Sequence, residues 1–165
     1  MYYGCYDEYT IEHIKPIGKN PIVIRILDYE KEPLKNFSNV LTIYVSDLEK
    51  NYGSGNLYNE NHAKQINDFI LNNDFDEILV HCSLGISRSP AVMAYIALIL
   101  DDKKMFNDIL SQKHFFPNKL ILQISMTYNY TIKKDEREKI LRNDFSNYKD
   151  ITIYDPVTKI LSLKL

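Results

Sequence analysis

Tryptophan is absent from this chain, cysteine is scarce, and neither a run of basic residues nor a long apolar stretch interrupts its pattern. The missing tryptophan says nothing about chemistry, but the other shortages each remove a class of answer. Two cysteines, Cys5 and Cys82, cannot build the disulfide framework of a small secreted domain, so both are expected as reduced thiols in a cytoplasmic, reducing compartment. The longest apolar run, from Ala91 to Leu100, is too short to cross a bilayer. Met1 to Glu8 lacks the basic and apolar regions of a signal peptide, and no membrane partner is expected. A net charge of −2 without a Lys/Arg cluster disfavours nucleic acid as a partner. His13, His62 and His114 are scattered without ligand spacing, so no metal site is expected.

What is present reads as one globular domain spanning residues 1–165. The length suffices for a core without staples, and an apolar share of 45% against 25% charged residues is ordinary for a folded chain. There is no internal repeat and no linker long enough to split it. Residues 21–27, 39–45 and 77–80 are aliphatic or β-branched runs bounded by Asn, Asp, Gly or Pro, and are predicted as buried strands. Between the second and third, Ala63, Ile66, Phe69 and Ile70 share one face of a helix over 59–71, with Asn59 or Asn61 as its cap. A second helix is predicted to start with Ser89 as N-cap and Pro90 at the first helical position, its body over 91–100 apolar almost all round and therefore central. A third is expected over 104–112. A fourth follows Pro117, with Leu120, Ile121, Ile124 and Tyr128 at helical spacing. The alternation of strand and helix implies an α/β sheet flanked by helices. In the tail, within 145–165, Ile151 to Tyr154 and Lys159 to Leu165 around Asp155-Pro156 are predicted as a β-hairpin, either joined to the main sheet or separate. Tyr2, Tyr3, Tyr6 and Tyr9 suggest ordinary packing or a frayed terminus.

The chemistry concentrates in Val80-His81-Cys82-Ser83-Leu84-Gly85-Ile86-Ser87-Arg88-Ser89-Pro90. A strand, a short loop and a helix start in that order turn the backbone N–H groups of residues 83–88 toward one point, where the helix dipole adds positive potential. That is an anion site. Gly85 lets the loop close tightly. A thiol at Cys82 is expected to ionise there and become a nucleophile. Arg88 offers a planar fork matched to two phosphate oxygens. His81 is placed to hold the loop by hydrogen bonding, and Ser89 to donate its hydroxyl to the Cys82 sulfur. A leaving oxygen needs a proton, and Asp47, just after the second strand and before the loop over 51–56, is the candidate acid, with Glu49 as runner-up.

His81-Cys82-x-x-Gly85-x-x-Arg88-Ser89 resembles the signature of the protein tyrosine phosphatase superfamily. Gly85-Ile86-Ser87-Arg88-Ser89-Pro90 is similar to its dual-specificity branch and to the small phosphatase-like proteins of bacteria and viruses. Val45-Ser46-Asp47 fits that branch, as does Phe115-Phe116-Pro117-Asn118 ahead of a late helix. The likeness covers roughly residues 20–130 and departs at Leu84, where the branch usually carries alanine. It implies a cysteine phosphatase fold with a central, mixed and mostly parallel sheet. It also implies a phosphorylated protein as substrate, no cofactor, and a two-step reaction in which Cys82 takes the phosphoryl group, Asp47 acts as acid and then base, and Arg88 with the loop amides holds the phosphate.

The resemblance leaves several functions open. Phosphotyrosine hydrolysis, with or without phosphoserine and phosphothreonine, is the leading expectation. A phosphoinositide substrate fits less well because Ser83, Leu84, Ile86 and Ser87 are uncharged. An RNA 5′-triphosphate fits less well because relatives acting on it favour Asn-Arg-Thr over Ser87-Arg88-Ser89. A phosphoprotein-binding pseudophosphatase needs a lost catalytic group, and rhodanese-like sulfur transfer needs neither Asp47 nor Ser89. Asp155-Pro156 mimics the late acid of low-molecular-weight phosphatases, but their cysteine lies near the N-terminus. Cys5 suggests a redox partner for Cys82 or an inert thiol. Nothing in the sequence sets the oligomeric state.

Overall fold

The structure, a computed structural model, describes residues 1–51, 53, 55–142, 151–153 and 161–163. Its main sheet holds β1 (Tyr2–Tyr6), β2 (Pro21–Leu27), β3 (Val40–Tyr44) and β4 (Glu77–His81) in the order β1-β4-β2-β3, all parallel. The described helices are α1 (Glu8–His13), α2 (Glu60–Leu71), α3 (Arg88–Ile99), α4 (Lys103–Ser111) and α5 (Lys119–Arg142). None is long and apolar enough to cross a membrane.

β2 and β4 are nearly continuous apolar runs because both of their faces are covered. Alternation then sorts their side chains. Ile22, Ile24, Ile26, Ile78 and Val80 meet Ile66 of α2, Met93 and Ile96 of α3 and Ile121 of α5 on one face, while Val23 and Leu79 meet Ile11, Leu34 and Phe37 on the other. Helix α3 is buried from Arg88 through Ala97 and packs on α2, α4, α5, β1 and β4, which explains why it lacks a polar face. Its Tyr95 hydroxyl donates to the Ala63 carbonyl at 3.1 Å, so even the polar atom of this central side chain is satisfied. Asn59 caps α2 in a reciprocal box with His62, and Asp102 caps α4 by accepting from the Met105 N–H at 2.9 Å.

Strand and helix assignments from the sequence agree with the structure to within a few residues, and the differences have identifiable causes. The first strand is β1. Tyr2, Tyr3 and Tyr6 are not a frayed terminus but pair with β4, Cys5 lying opposite Val80. Nothing local marks this strand, which depends on a partner lying some seventy-five residues later in sequence. Helix α3 begins at Arg88 rather than Pro90. Ser87 is the N-cap without a side-chain bond, Ser89 lies inside the first turn, and Pro90 takes the third helical position, where its missing N–H costs nothing. The main sheet is wholly parallel rather than mixed. In the tail, β5 (Ile151–Ile153) and β6 (Leu161–Leu163) form an antiparallel pair separate from that sheet. Asp155-Pro156 lies outside the described residues.

The foot of the sheet is tied by one buried carboxylate. Glu77, 2% exposed, accepts from the Ile17 and Gly18 N–H groups, both at 2.8 Å. Glu77→Ala removes the acceptor of both N–H groups and should destabilise the fold by about 1–3 kcal/mol, read as a lowered urea midpoint.

Candidate active site

Ligand sites of parallel α/β sheets form where the carboxyl ends of strands converge. Here β2 ends just before Asp28, β3 runs out to Val45 and Asp47, β4 delivers Cys82, and α3 begins at Arg88. The loop joining Cys82 to Arg88 is braced from outside through its carbonyls. Ser83 O accepts from Glu8 N–H at 3.4 Å, Ile86 O from Phe116 N–H at 2.8 Å and Ser87 O from Asn118 N–H at 3.2 Å. With those carbonyls turned outward, no N–H of residues 83–88 donates to a described residue. The result is a nest of donors beside a helix N-terminus. Gly85 sits at φ +74°, and a Cβ there would lie 2.7 Å from the Tyr6–Asp7 backbone, so two separate constraints require glycine.

Arg88 is the other half of this anion site. Its side chain is 4% exposed. Nη1 donates to Asp28 Oδ2 at 2.8 Å and to the Val45 carbonyl at 2.7 Å, and Nη2 donates to Ser83 Oγ at 3.0 Å. Nε has no hydrogen-bond partner among the described residues; Asp47 Oδ2 stands 3.9 Å away. A buried, unsatisfied guanidinium N–H beside a ring of unsatisfied backbone N–H groups is what an oxyanion would complete.

Cys82, 1% exposed, lies at the base of the loop with its Sγ 3.4 Å from Ser89 Oγ. Asp47 stands across the opening, its Oδ1 accepting from Ser87 Oγ and Asn118 Nδ2, both at 2.8 Å. Asn118 also accepts from the Ile121 N–H, so a single side chain both starts α5 and holds the acid. Cys82, Arg88, Asp47, Ser89 and residues 83–87 thus come together. Glu49 does not join them. Its Oε1 accepts from the Lys119 N–H at 3.0 Å, placing it at the start of α5. Sequence reasoning missed Asp28, although an acid directly after a parallel strand, like Asp47, was the signal available.

His81 is fully buried, and neither ring nitrogen has a hydrogen-bond partner among the described residues, contrary to the expectation that it bonds to the loop. Burial, and then Arg25 across the strand pair, pushes it down from 6.5 to about 4. The ring is therefore a neutral packing element beneath the loop. Cys5 packs against the core cluster containing Cys82. Burial, and then Cys82, pushes its thiol up, which disfavours the thiolate. Leu84 is 72% exposed and lines a shallow cleft with Asp7, Glu8, Tyr9, Glu12 and Ser83, so it forms part of the rim and does not fill the nest. Among the described residues no group of three or more His, Cys, Asp or Glu is arranged to hold a metal.

No family model and no curated protein matches the chain. Solved structures do. PTPMT1 in complex with PI(5)P is 16% identical, with a TM-score of 0.50 over 71% of this chain and 80% of that one. A mouse putative dual specificity phosphatase complexed with zinc tungstate is also 16% identical, with a TM-score of 0.50 over 71% of this chain and 74% of that one. DUSP15 is 22% identical, with a TM-score of 0.49 over 77% and 80%. The chain has the dual-specificity phosphatase fold, a parallel sheet flanked by helices.

Because folded His81 binds its proton near pH 4 and the unfolded residue near 6.5, the stability it contributes is complete above pH 6.5 and is lost as pH falls toward 4. His81→Asn should therefore flatten the dependence of unfolding free energy on pH across that window, by up to about 3 kcal/mol. Urea titrations at a series of pH values measure it.

Proposed function

We propose that the chain is a cysteine-dependent phosphatase that hydrolyses phosphotyrosine in proteins, with phosphoserine and phosphothreonine as further substrates, through a phosphocysteine intermediate. The observation that carries this reading is the loop between Cys82 and Arg88, whose N–H groups and whose Arg88 Nε have no hydrogen-bond partner among the described residues. In the first step the Cys82 thiolate attacks phosphorus in line. The bond to the leaving oxygen breaks, and Asp47 gives that oxygen its proton. Asp47 Oδ1 is held by Ser87 and Asn118, while Oδ2, 3.9 Å from Arg88 Nε, makes no hydrogen bond among the described residues. In the second step Asp47 takes a proton from water, the resulting hydroxide attacks phosphorus, and the S–P bond breaks. The Ser89 hydroxyl, 3.4 Å from the sulfur, donates to the departing thiolate. Arg88 and the loop amides hold the equatorial oxygens in both transition states.

The surroundings favour a protein substrate over a polyphosphorylated one. Asp28, Asp47, Asp7, Glu8 and Glu12 edge the site or the adjoining cleft, and each repels additional phosphates. Exposed Leu84, Tyr9 and Phe116 near the loop offer apolar contact to an aromatic leaving group. The reaction requires reduced Cys82, which fits a cytoplasmic enzyme.

Cys82→Ser should lower turnover of p-nitrophenyl phosphate and a phosphotyrosine peptide by at least about a thousandfold. Asp47→Asn should lower kcat about a hundredfold. Glu49→Ala should change kcat by less than about threefold, losing only the α5 cap. Activity surviving Cys82→Ser sinks the mechanism, and faster turnover of inositol phosphates or RNA 5′-triphosphate than of phosphopeptides sinks the substrate class.

A further inference from the structure

Helix α1 and the loop after β4 enclose a cleft that phosphoryl transfer leaves unused. It holds about 580 Å³ and is lined by Asp7, Glu8, Tyr9, Glu12, Ser83 and Leu84. Two contacts fix its place beside the loop. The Glu8 N–H donates to the Ser83 carbonyl at 3.4 Å, and Gly85 lies against the Tyr6–Asp7 backbone. Ser83 belongs to both spaces, since its Oγ accepts from Arg88 Nη2 at 3.0 Å and it also lines the cleft. A peptide whose phosphoryl group sits in the loop therefore leads a neighbouring residue into the cleft.

The three carboxylates there are not equivalent. Asp7 is the N-cap of α1, with Oδ1 accepting from the Thr10 N–H at 2.8 Å and Oδ2 from the Thr10 hydroxyl at 2.6 Å. Glu8 is paired with Lys31. Glu12 is exposed, and its carboxylate has no hydrogen bond or ion pair among the described residues. The apolar lining is Leu84 and Tyr9, each 72% exposed, and the Tyr9 ring is backed by His13 at a centroid distance of 4.3 Å. Apolar walls beside a free carboxylate match one kind of side chain, a long aliphatic stem that ends in a cation. An acidic or phosphorylated residue is repelled, because Lys31 offsets Glu8 alone.

We propose that this cleft is a specificity site that selects substrates with lysine or arginine beside the phosphotyrosine. The stem lies on Leu84 and Tyr9, and the cationic head meets Glu12. This rests on the reading of the chain as a protein phosphatase.

The test uses phosphotyrosine peptides varied at one position at a time, within three residues on either side, to arginine, citrulline, alanine or glutamate. Citrulline keeps the length and shape of arginine without its charge. Values of kcat/KM for the full chain are referred to p-nitrophenyl phosphate, which has no flanking residue. At one or more positions arginine should exceed alanine by about two- to fivefold, with citrulline between them and glutamate lowest. In about 1 M salt, where the Debye length is about 3 Å, arginine should fall to the level of citrulline. Glu12→Gln should have the same effect at low salt, and Glu12→Arg should place glutamate above arginine. Leu84→Ala should lower arginine and citrulline alike toward alanine, by about twofold. Thermal midpoints check that each variant is folded. The proposal is overturned if arginine gives no advantage at any position, or if both Glu12 variants leave that advantage as it was. If the chain hydrolyses neither p-nitrophenyl phosphate nor any peptide, the phosphatase reading fails on its own. The order of peptide affinities, read by fluorescence anisotropy on the Cys82→Ser variant, then decides the cleft separately.

Discussion

A guanidinium buried at the edge of a parallel sheet is the constraint around which this molecule is arranged. Moving a charge out of water is tolerable only with partners at hydrogen-bond distance, and Arg88 draws them from the end of β2, the end of β3 and the loop after β4. Three strand termini that are separate in sequence are thereby held at fixed separations. The nest of N–H groups, the sulfur of Cys82 and the carboxylate of Asp47 each take their position from those termini. The packing of the sheet ends and the candidate site thus share one side chain, in contrast to Glu77, which secures the opposite end of the sheet and stands apart from the site.

Much of this arrangement could be read in the residues. The runs over 21–27 and 77–80 are so uniformly aliphatic that only a strand covered on both faces accommodates them. The spacing from Cys82 to Arg88, with Gly85 between, has few uses other than closing round an anion. Asp47 was legible because it follows a strand and precedes a loop. What escaped depends on distant partners. β1 has aromatic residues and a glycine but no pattern until β4 lies beside it. The ion pair of Asp28 exists only because the chain brings residue 88 to it. The neutrality of His81 comes from burial against Arg25, a neighbour in the sheet and not in the sequence. Glu49 and Asp47, two residues apart, looked interchangeable, and the start of α5 separates them by taking one for its backbone and the other for Asn118.

The link between Asn118 and Asp47 also shows how a helix outside the motif enters the chemistry. Residues 116 and 118 hold the loop by its carbonyls while the Asn118 amide holds the acid. A shift of α5 would move both together, so acid and nest keep their mutual distance. Such coupling preserves reaction geometry better than two independent anchors would.

The contact of Gly85 with the Tyr6–Asp7 backbone has a temporal implication. Among the described strands β1 pairs with β4, whose residues emerge from the ribosome long after its own, and the backbone that follows β1 lies against Gly85. Loop closure over that distance is slow compared with local helix formation. The contact of Gly85 with Tyr6 and Asp7 therefore waits on a pairing that closes across some seventy-five residues. The packing of Gly85 against that backbone accordingly belongs to the finished sheet and not to the local sequence of the loop.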